Sequence, residues 1–464
     1  MNQDEKARLY RRVRHLASDS VVLRRMQTLG FWPKGEGLPP DPPEEAAERA
    51  RIEAELADLR QKFAKVSDPE AALAEERRRR WEASKARRLE AKRRRAEEQR
   101  NRRAGWDQTR SATVVHAGIG VSAGLQGRQS DSEALRRRGL PILHQAEDLA
   151  DRIGIELKAL RWLTYHRRGA TVVHYRRYEI AKKSGGVRCI SAPKPALAWA
   201  QRWILDEILR RLEPEPQAHG FVSGRSIVSN AEPHSGKAVV INLDVKEFFP
   251  TITFRRVKGL FGSLGYGEHI ATVLALLCTE PPRVAATLDG KTYHVALGDR
   301  VLPQGACTSP ALTNAICRSL DRRLDGLARR HGFTYTRYAD DLTFSGNRTA
   351  ASGRLLRSVR IILVDEGLIE HPTKTRVMRR GGRQEVTGLT VNDRPAVSRE
   401  ELRTLRAILH SASRFGLDSQ NRDGHPDFAS HLRGRVEFAC MVDPSRTPAL
   451  REALDRALRG PSGS

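Results

Sequence analysis

The stretch YTRYADDLTFSG, from Tyr335 to Gly346, places an acidic pair between two alternating runs. It reads as strand, tight acidic turn, strand. Upstream, Val239-Val240-Ile241-Asn242-Leu243 forms a short apolar strand that meets Asp244 at its end. Carboxylates at the tip of an apolar hairpin are costly to desolvate unless a cation or hydrogen bonds compensate them. A further carboxylate from a neighbouring strand completes an oxygen-rich cluster suited to Mg2+, which keeps waters and phosphate oxygens in its shell. Two such ions can lower the pKa of an attacking sugar hydroxyl and hold a leaving pyrophosphate. Taken alone, Asp340-Asp341 also fits an ordinary hairpin turn, because aspartate is a common turn residue.

Upstream of both, TVVHYRRYEIAKKSGGVRCISAPK gives a second hairpin, two alternating runs around a Lys-Ser-Gly-Gly turn. Helical patterns fill the segments between these strands and dominate the C-terminal end, so the fold class is α+β. The N-terminal region differs. Residues 1–30 read as a short amphipathic helix pair, followed by the breaker-rich GFWPKGEGLPPDPP from Gly30 to Pro43. Ile52, Leu56, Leu59 and Phe63 then form a modest helical stripe suited to a partner helix or an effector protein. From Arg77 to Arg103 the chain has fourteen Lys/Arg and four Glu. Such a run is a solvent-exposed helix or a disordered basic arm, either merely solvated or in contact with RNA or DNA. The Gly/Ser-rich HAGIGVSAGLQGRQSD, His116 to Asp131, marks the expected boundary. The expected organisation is a helical basic extension over 1–135, a main α+β region over 136–395 and a helical region over 396–464.

Across 464 residues, 82 Lys+Arg against 56 Asp+Glu leave a formal charge of +26. A field of that sign draws polyanions, nucleic acid before an anionic membrane, although an arginine-rich composition alone also gives a basic surface. The five cysteines, Cys189, Cys278, Cys307, Cys317 and Cys440, are too scattered for a disulfide framework or a four-cysteine zinc site, and fit a reduced cytoplasm. The start lacks the apolar core of a signal peptide, and no run approaches the roughly 18 apolar residues of a membrane span. A cytoplasmic protein without membrane partners is expected.

YADD between apolar runs, LDVKEFF beginning at Leu243 and LPQGACTSP beginning at Leu302 resemble, in order, the palm motifs of reverse transcriptases. The resemblance implies a right-hand polymerase fold of fingers, antiparallel palm sheet and helical thumb. It makes Asp244 and Asp340 the carboxylates that bind two Mg2+ ions, with Asp341 beside them and the Val245 backbone against the metal-bound triphosphate. Phe249 matches the ring that closes the space beside the nucleotide 2′ carbon, excluding a 2′-hydroxyl by overlap. Gln304 and Gly305 match the segment under the incoming deoxynucleoside triphosphate, the glycine permitting close backbone approach. Lys182 and Arg188 match the basic pair that clamps the triphosphate, a point charge and a fork. Lys374 in HPTKTRV matches the lysine that serves the departing pyrophosphate, though a solvated lysine after a turn reads the same locally.

Two further motifs narrow the resemblance to retron reverse transcriptases. Asn230-Ala231-Glu232-Pro233-His234 fits their NAxxH signature, and Val386-Thr387-Gly388 fits their VTG signature. APKPALAWAQRWI and HGFVSGRSI are similar in the same way, and the likeness covers residues 150–450. The basic extension and HAGIGV resemble the longer myxobacterial members. Membership implies an RNA-directed DNA polymerase that binds a cognate noncoding msr-msd RNA through Asn230, His234 and Val386 to Gly388. It further implies priming from the 2′-hydroxyl of an internal guanosine, a branched msDNA product and an effector protein in an anti-phage system. Cys307 stands where relatives often carry proline. Another bacterial defence type, a group II relative or an inactive RNA-binding scaffold remain the alternative readings.

Overall fold

The computed structural model describes residues 4–8, 19–37, 43–63, 69–125, 127, 129–181 and 185–460. It divides into two compact units, Met1–Ala104 and Gly105–Ser464. That division falls before the Gly/Ser-rich stretch expected to form the boundary. The reason is packing: Val114, Ala117, Val121 and Leu125 are buried in the same apolar core as Leu135, Leu149 and Phe261.

In the first unit the basic run lies on the helix Pro69–Ala112, which begins there and extends past the division. Of the two sequence alternatives, exposed helix and disordered arm, the structure takes the helix. Trp81 is exposed on it, with the Lys85 ammonium 5.0 Å from the centre of its ring. On Pro43–Phe63, Ile52 is exposed while Leu56 and Leu59 are half-buried, and no described side chain of this unit is fully buried. A long helix with this charge density is held by its backbone ladder and by (i, i+4) pairs such as Arg80 with Glu76, not by a core.

In the second unit the strands are β1 (Gly169–Ala170), β2 (Tyr175–Ala181), β3 (Val187–Pro193), β4 (Val239–Asp244), β5 (Arg283–Leu288), β6 (Lys291–Ala296), β7 (Phe333–Tyr338), β8 (Asp341–Gly346), β9 (Arg376–Arg379), β10 (Glu385–Val386) and β11 (Leu389–Thr390). All pairings between them are antiparallel. The sheet that positions the carboxylates has the order β7-β8-β4-β9. Its two faces are covered by different helices, as the alternation of β4 requires. Val239, Ile241 and Leu243 pack with Leu320, Leu324, Leu355 and Val359 from the helices Arg318–His331 and Ser352–Asp365. Val240, on the opposite face, joins a core made with Val386, Leu389 and the C-terminal helices Arg399–Phe415, Phe428–Val442 and Thr447–Arg459. The mixture of helices and antiparallel sheets bears out the α+β expectation. Among the described residues no helix is long and apolar enough to cross a membrane.

Candidate active site

Strand pairing brings the carboxylates to one end of the central sheet. In the β4–β8 register Asp244 lies opposite Asp341, and in the β7–β8 register Tyr338 lies opposite Asp341. Ala339 and Asp340 are therefore the two residues of the tight turn, with Ala339 at φ 57°. The Val245 amide donates to the Asp340 carbonyl at 3.1 Å, stitching the end of β4 to that turn. Residues beyond Ile369 run along the same strand end. Lys246 donates to the Ile369 carbonyl and His371 to the Asp244 carbonyl, at 2.8 and 2.7 Å. This places the Lys374 ammonium 2.8 Å from Asp244 Oδ1.

Electrostatics follow from that crowding. Burial, with Asp244 nearby, raises the pKa of Asp340, while its backbone, Lys374 and Arg188 pull the other way. Burial and the carboxylates of Asp340 and Asp244 push Asp341 up to about 7. Asp341 keeps accessible surface at the mouth, so carboxylate repulsion is the part that a cation there would relieve. Among the described residues no three or more His, Cys, Asp or Glu side chains already form a metal cage. The donor chemistry nevertheless fits a hard divalent cation, since all three groups are carboxylates, and burial together with a neighbouring carboxylate raises the pKa of Asp340 and Asp341.

Around this centre stand the other residues singled out in the sequence. Arg188 is exposed on β3, across from Ile180, and its charge reaches Asp340. Gly185 and Gly186 both have positive φ in the hairpin turn, whereas Lys182 lies outside the described residues. Gln304 is half-buried, and its carbonyl accepts from the Ser191 amide at 2.7 Å. Gly305 has φ +112°, and a Cβ there would stand 2.8 Å from Ile190 Cγ2 and 3.0 Å from the Ser191 carbonyl oxygen. The close backbone approach at Gly305 is thus made with β3 itself, locking Leu302-Pro303-Gln304-Gly305 to the hairpin that carries Arg188. Phe249 is half-buried, with Phe248 and Phe221 at ring-centre distances of 6.0 and 6.3 Å.

Asn230 and His234 are fully buried, so any influence on RNA passes through the elements they hold. His234 bonds Ser345 Oγ through Nδ1 and Thr336 Oγ1 through Nε2, both at 2.7 Å. Asn230 has no hydrogen-bond partner for its side-chain amide. Val386 is buried, and Thr387 (φ 47°) with Gly388 (φ 83°) makes the two-residue β10–β11 turn. Consecutive positive φ values are those of a type I′ hairpin turn. Nothing lies within 4 Å of a Cβ built on Gly388, so its glycine serves the backbone angle and not a close approach. The Thr387 hydroxyl donates to the Ile227 carbonyl at 3.3 Å, and Ala231 shares a core with Val386. The two short signatures therefore touch one another.

Residues 180–404 match the family of reverse transcriptases (RNA-dependent DNA polymerases). The chain is 47% identical over 330 residues to the retron Mx65 reverse transcriptase of Myxococcus xanthus, covering 71% of this chain and 75% of that one. With the retron Mx162 reverse transcriptase of the same organism it shares 44% over 368 residues, covering 74% and 75%. With the retron Ec86 reverse transcriptase of Escherichia coli it shares 33% over 312 residues, covering 67% and 88%. The chain belongs to the retron reverse transcriptase family. Its activity class is accordingly that of an RNA-dependent DNA polymerase, a nucleotidyltransferase.

What the sequence reading missed in this reverse transcriptase is the support beneath the acidic turn. Arg337, on the strand leading into it, is fully buried and makes a two-pronged ion pair with Asp321, Nε–Oδ1 2.8 Å and Nη2–Oδ2 2.7 Å. Its Nη1 also donates to Asn314 Oδ1 at 3.0 Å and to the Ala339 carbonyl at 3.3 Å. Burial opposes the charge of Arg337, but Asp321 outweighs it and holds the guanidinium above its ordinary pKa. The available signal was alternation: Tyr335 and Arg337 share one strand face, and an arginine on an inward face requires a partner.

Proposed function

We propose that this reverse transcriptase copies a cognate structured noncoding msr-msd RNA, starting from the 2′-hydroxyl of an internal guanosine, and leaves a branched msDNA. The observation that carries the polymerase chemistry is the strand register that sets Asp244 beside Asp341 and the Asp340 turn. The reading assigns fingers and palm to residues 136–395 and a helical thumb to 396–464, supported by the three C-terminal helices. Two Mg2+ ions at Asp244, Asp340 and the Val245 backbone, beside Asp341, would lower the pKa of the attacking hydroxyl and stabilise the departing pyrophosphate. Arg188, with Lys182, meets triphosphate oxygens as a charge-assisted fork. Lys374 supplies a positive charge at the same mouth and orients the Asp244 carboxylate. Gln304 and Gly305 form the floor for the incoming deoxynucleotide, and Phe249 fills the space a 2′-hydroxyl would need.

RNA recognition falls to two regions in this reading. The basic face of Pro69–Ala112 attracts phosphates independently of sequence. The joined NAxxH and VTG elements present the C-terminal helices to a stem, whose shallow minor groove is read by shape and 2′-hydroxyls. An effector protein and a role in anti-phage defence in the cytoplasm complete the proposal, on the strength of the family. The test supplies purified protein with Mg2+, deoxynucleotides and either the folded flanking noncoding RNA or a DNA primer annealed to an unrelated RNA. DNA joined covalently to the folded RNA without added primer supports the reading. Extension of the annealed primer with no self-primed product rejects guanosine priming while leaving the polymerase assignment in place.

A further inference from the structure

Phe221 has a conformation and a position that core packing does not explain. It is 52% exposed and has φ 61°, a region that bulky side chains rarely adopt. The surrounding loop fixes it there. Gly220 runs so close to the catalytic turn that a Cβ would stand 2.5 Å from the Ala339 nitrogen. The Gly220 carbonyl accepts from Asn314 Nδ2 at 2.9 Å, and Asn314 is itself held by Arg337. The Arg225 guanidinium closes the loop by donating to the carbonyls of Glu215, Pro216 and Ala218. The loop is also stitched to β7, with the His219 amide on the Arg337 carbonyl and the Arg337 amide on the Gln217 carbonyl, each at 2.8 Å. A strained aromatic residue is thereby presented beside the acidic turn with its ring against Phe249, at 6.3 Å and 53°.

We propose that Phe221 is a positioning residue for sugar selection: its exposed ring and the buried Phe248 ring both neighbour the Phe249 ring and together hold it in place. This rests on the reading of Phe249 as the ring that excludes a 2′-hydroxyl. A ring excludes a hydroxyl by overlap only if it cannot tilt away, and contact with two neighbouring rings restricts that freedom. Without Phe221, the Phe249 ring gains room to tilt and the ribose hydroxyl gains space. The anchoring of the loop to Ala339 and Arg337 keeps this wall in register with the carboxylates.

Phe221→Gly is the decisive variant, because glycine adopts φ 61° without strain and the loop keeps its backbone. Incorporation efficiencies for ribo- and deoxynucleotides are compared on one annealed primer, alongside thermal unfolding. The expected result is a ribo-to-deoxy ratio raised by about tenfold, carried mainly by a lower ribonucleotide KM, with the thermal midpoint retained. Phe221→Tyr restores the ratio. In a Phe249→Ala background, Phe221→Gly adds no further change, since it acts through that ring. An unchanged ratio in Phe221→Gly, while Phe249→Ala relaxes selection, overturns the inference alone. An unchanged ratio in Phe249→Ala overturns both the gate reading and this inference, and an additive effect in the double variant overturns the positioning role.

Discussion

The imidazole of His234 spans the two strands of the acidic hairpin, bonded to Thr336 on β7 and to Ser345 on β8. The retron NAxxH element thus reaches the acidic hairpin through two buried hydroxyls. The helix Ile227–Ala231, which carries the first two residues of that element, meets the VTG turn through the Ile227 carbonyl and the Ala231 side chain. One buried segment therefore links the carboxylate hairpin to the C-terminal helices.

Burial holds His234 neutral, with a pKa near 3, and the charges of His219 and Lys237 act in the same direction. The unfolded chain takes up that proton below about pH 6.5, so it binds more protons than the folded chain in acid. The stabilisation is complete above about pH 6.5 and is lost as the pH falls toward 3. His219 and His166, each lowered to about 4, steepen the same slope. Urea midpoints at pH 7 and pH 5 should fall more in the native protein than in His234→Gln, which keeps hydrogen-bonding capacity without titrating. At pH 7, His234→Ala should lose about 2–3 kcal/mol, because two buried hydroxyls lose their partner. Parallel pH slopes in native protein and His234→Gln would remove His234 from this role.

Asp340→Asn combined with Asp341→Asn should abolish DNA synthesis and leave RNA affinity within about twofold at matched salt, since phosphate contacts lie elsewhere. A second readout concerns the metal directly. Millimolar Mg2+ should raise the thermal midpoint of the native protein by relieving carboxylate repulsion, and should leave that of the double variant unmoved. Residual synthesis at the native rate, or an equal Mg2+ shift in both proteins, contradicts the assignment.

Val386 is a core residue, so replacing all of Val386 to Gly388 confounds packing with recognition. Thr387→Asn isolates the question, because Asn-Gly suits a turn with two positive φ values. The variant should keep its stability and extend a generic annealed primer normally. Initiation on the cognate noncoding RNA should fall severalfold, because the Thr387 hydroxyl that ties the turn to Ile227 is lost. Equal effects on the two reactions would make the turn purely structural.

Legibility in the sequence followed the range of the interaction. The Tyr335 to Gly346 hairpin was readable because its turn residues and alternation are local, and Asp244 because an apolar run ends on it. The fold class followed from the same patterns. The Asp321–Arg337 pair and the hydroxyl partners of His234 were not readable, since each joins elements that only folding brings together. Gly388 shows a subtler limit. A glycine after threonine signals a turn, but whether it serves an angle or a close approach depends on neighbours that turn out to be absent. Likewise the glycines of residues 116–131 suggested a boundary, although Ala117, Val121 and Leu125 are core residues.

Branched DNA is sought by extracting nucleic acid from cells that express the gene with its flanking DNA, and treating the extract with RNase. The expected product is a short single-stranded DNA that retains a branched RNA remnant, is shortened by a 2′–5′ debranching enzyme, and is missing with Asp340→Asn and Asp341→Asn. Active polymerase in the same cells with no branched DNA would contradict it.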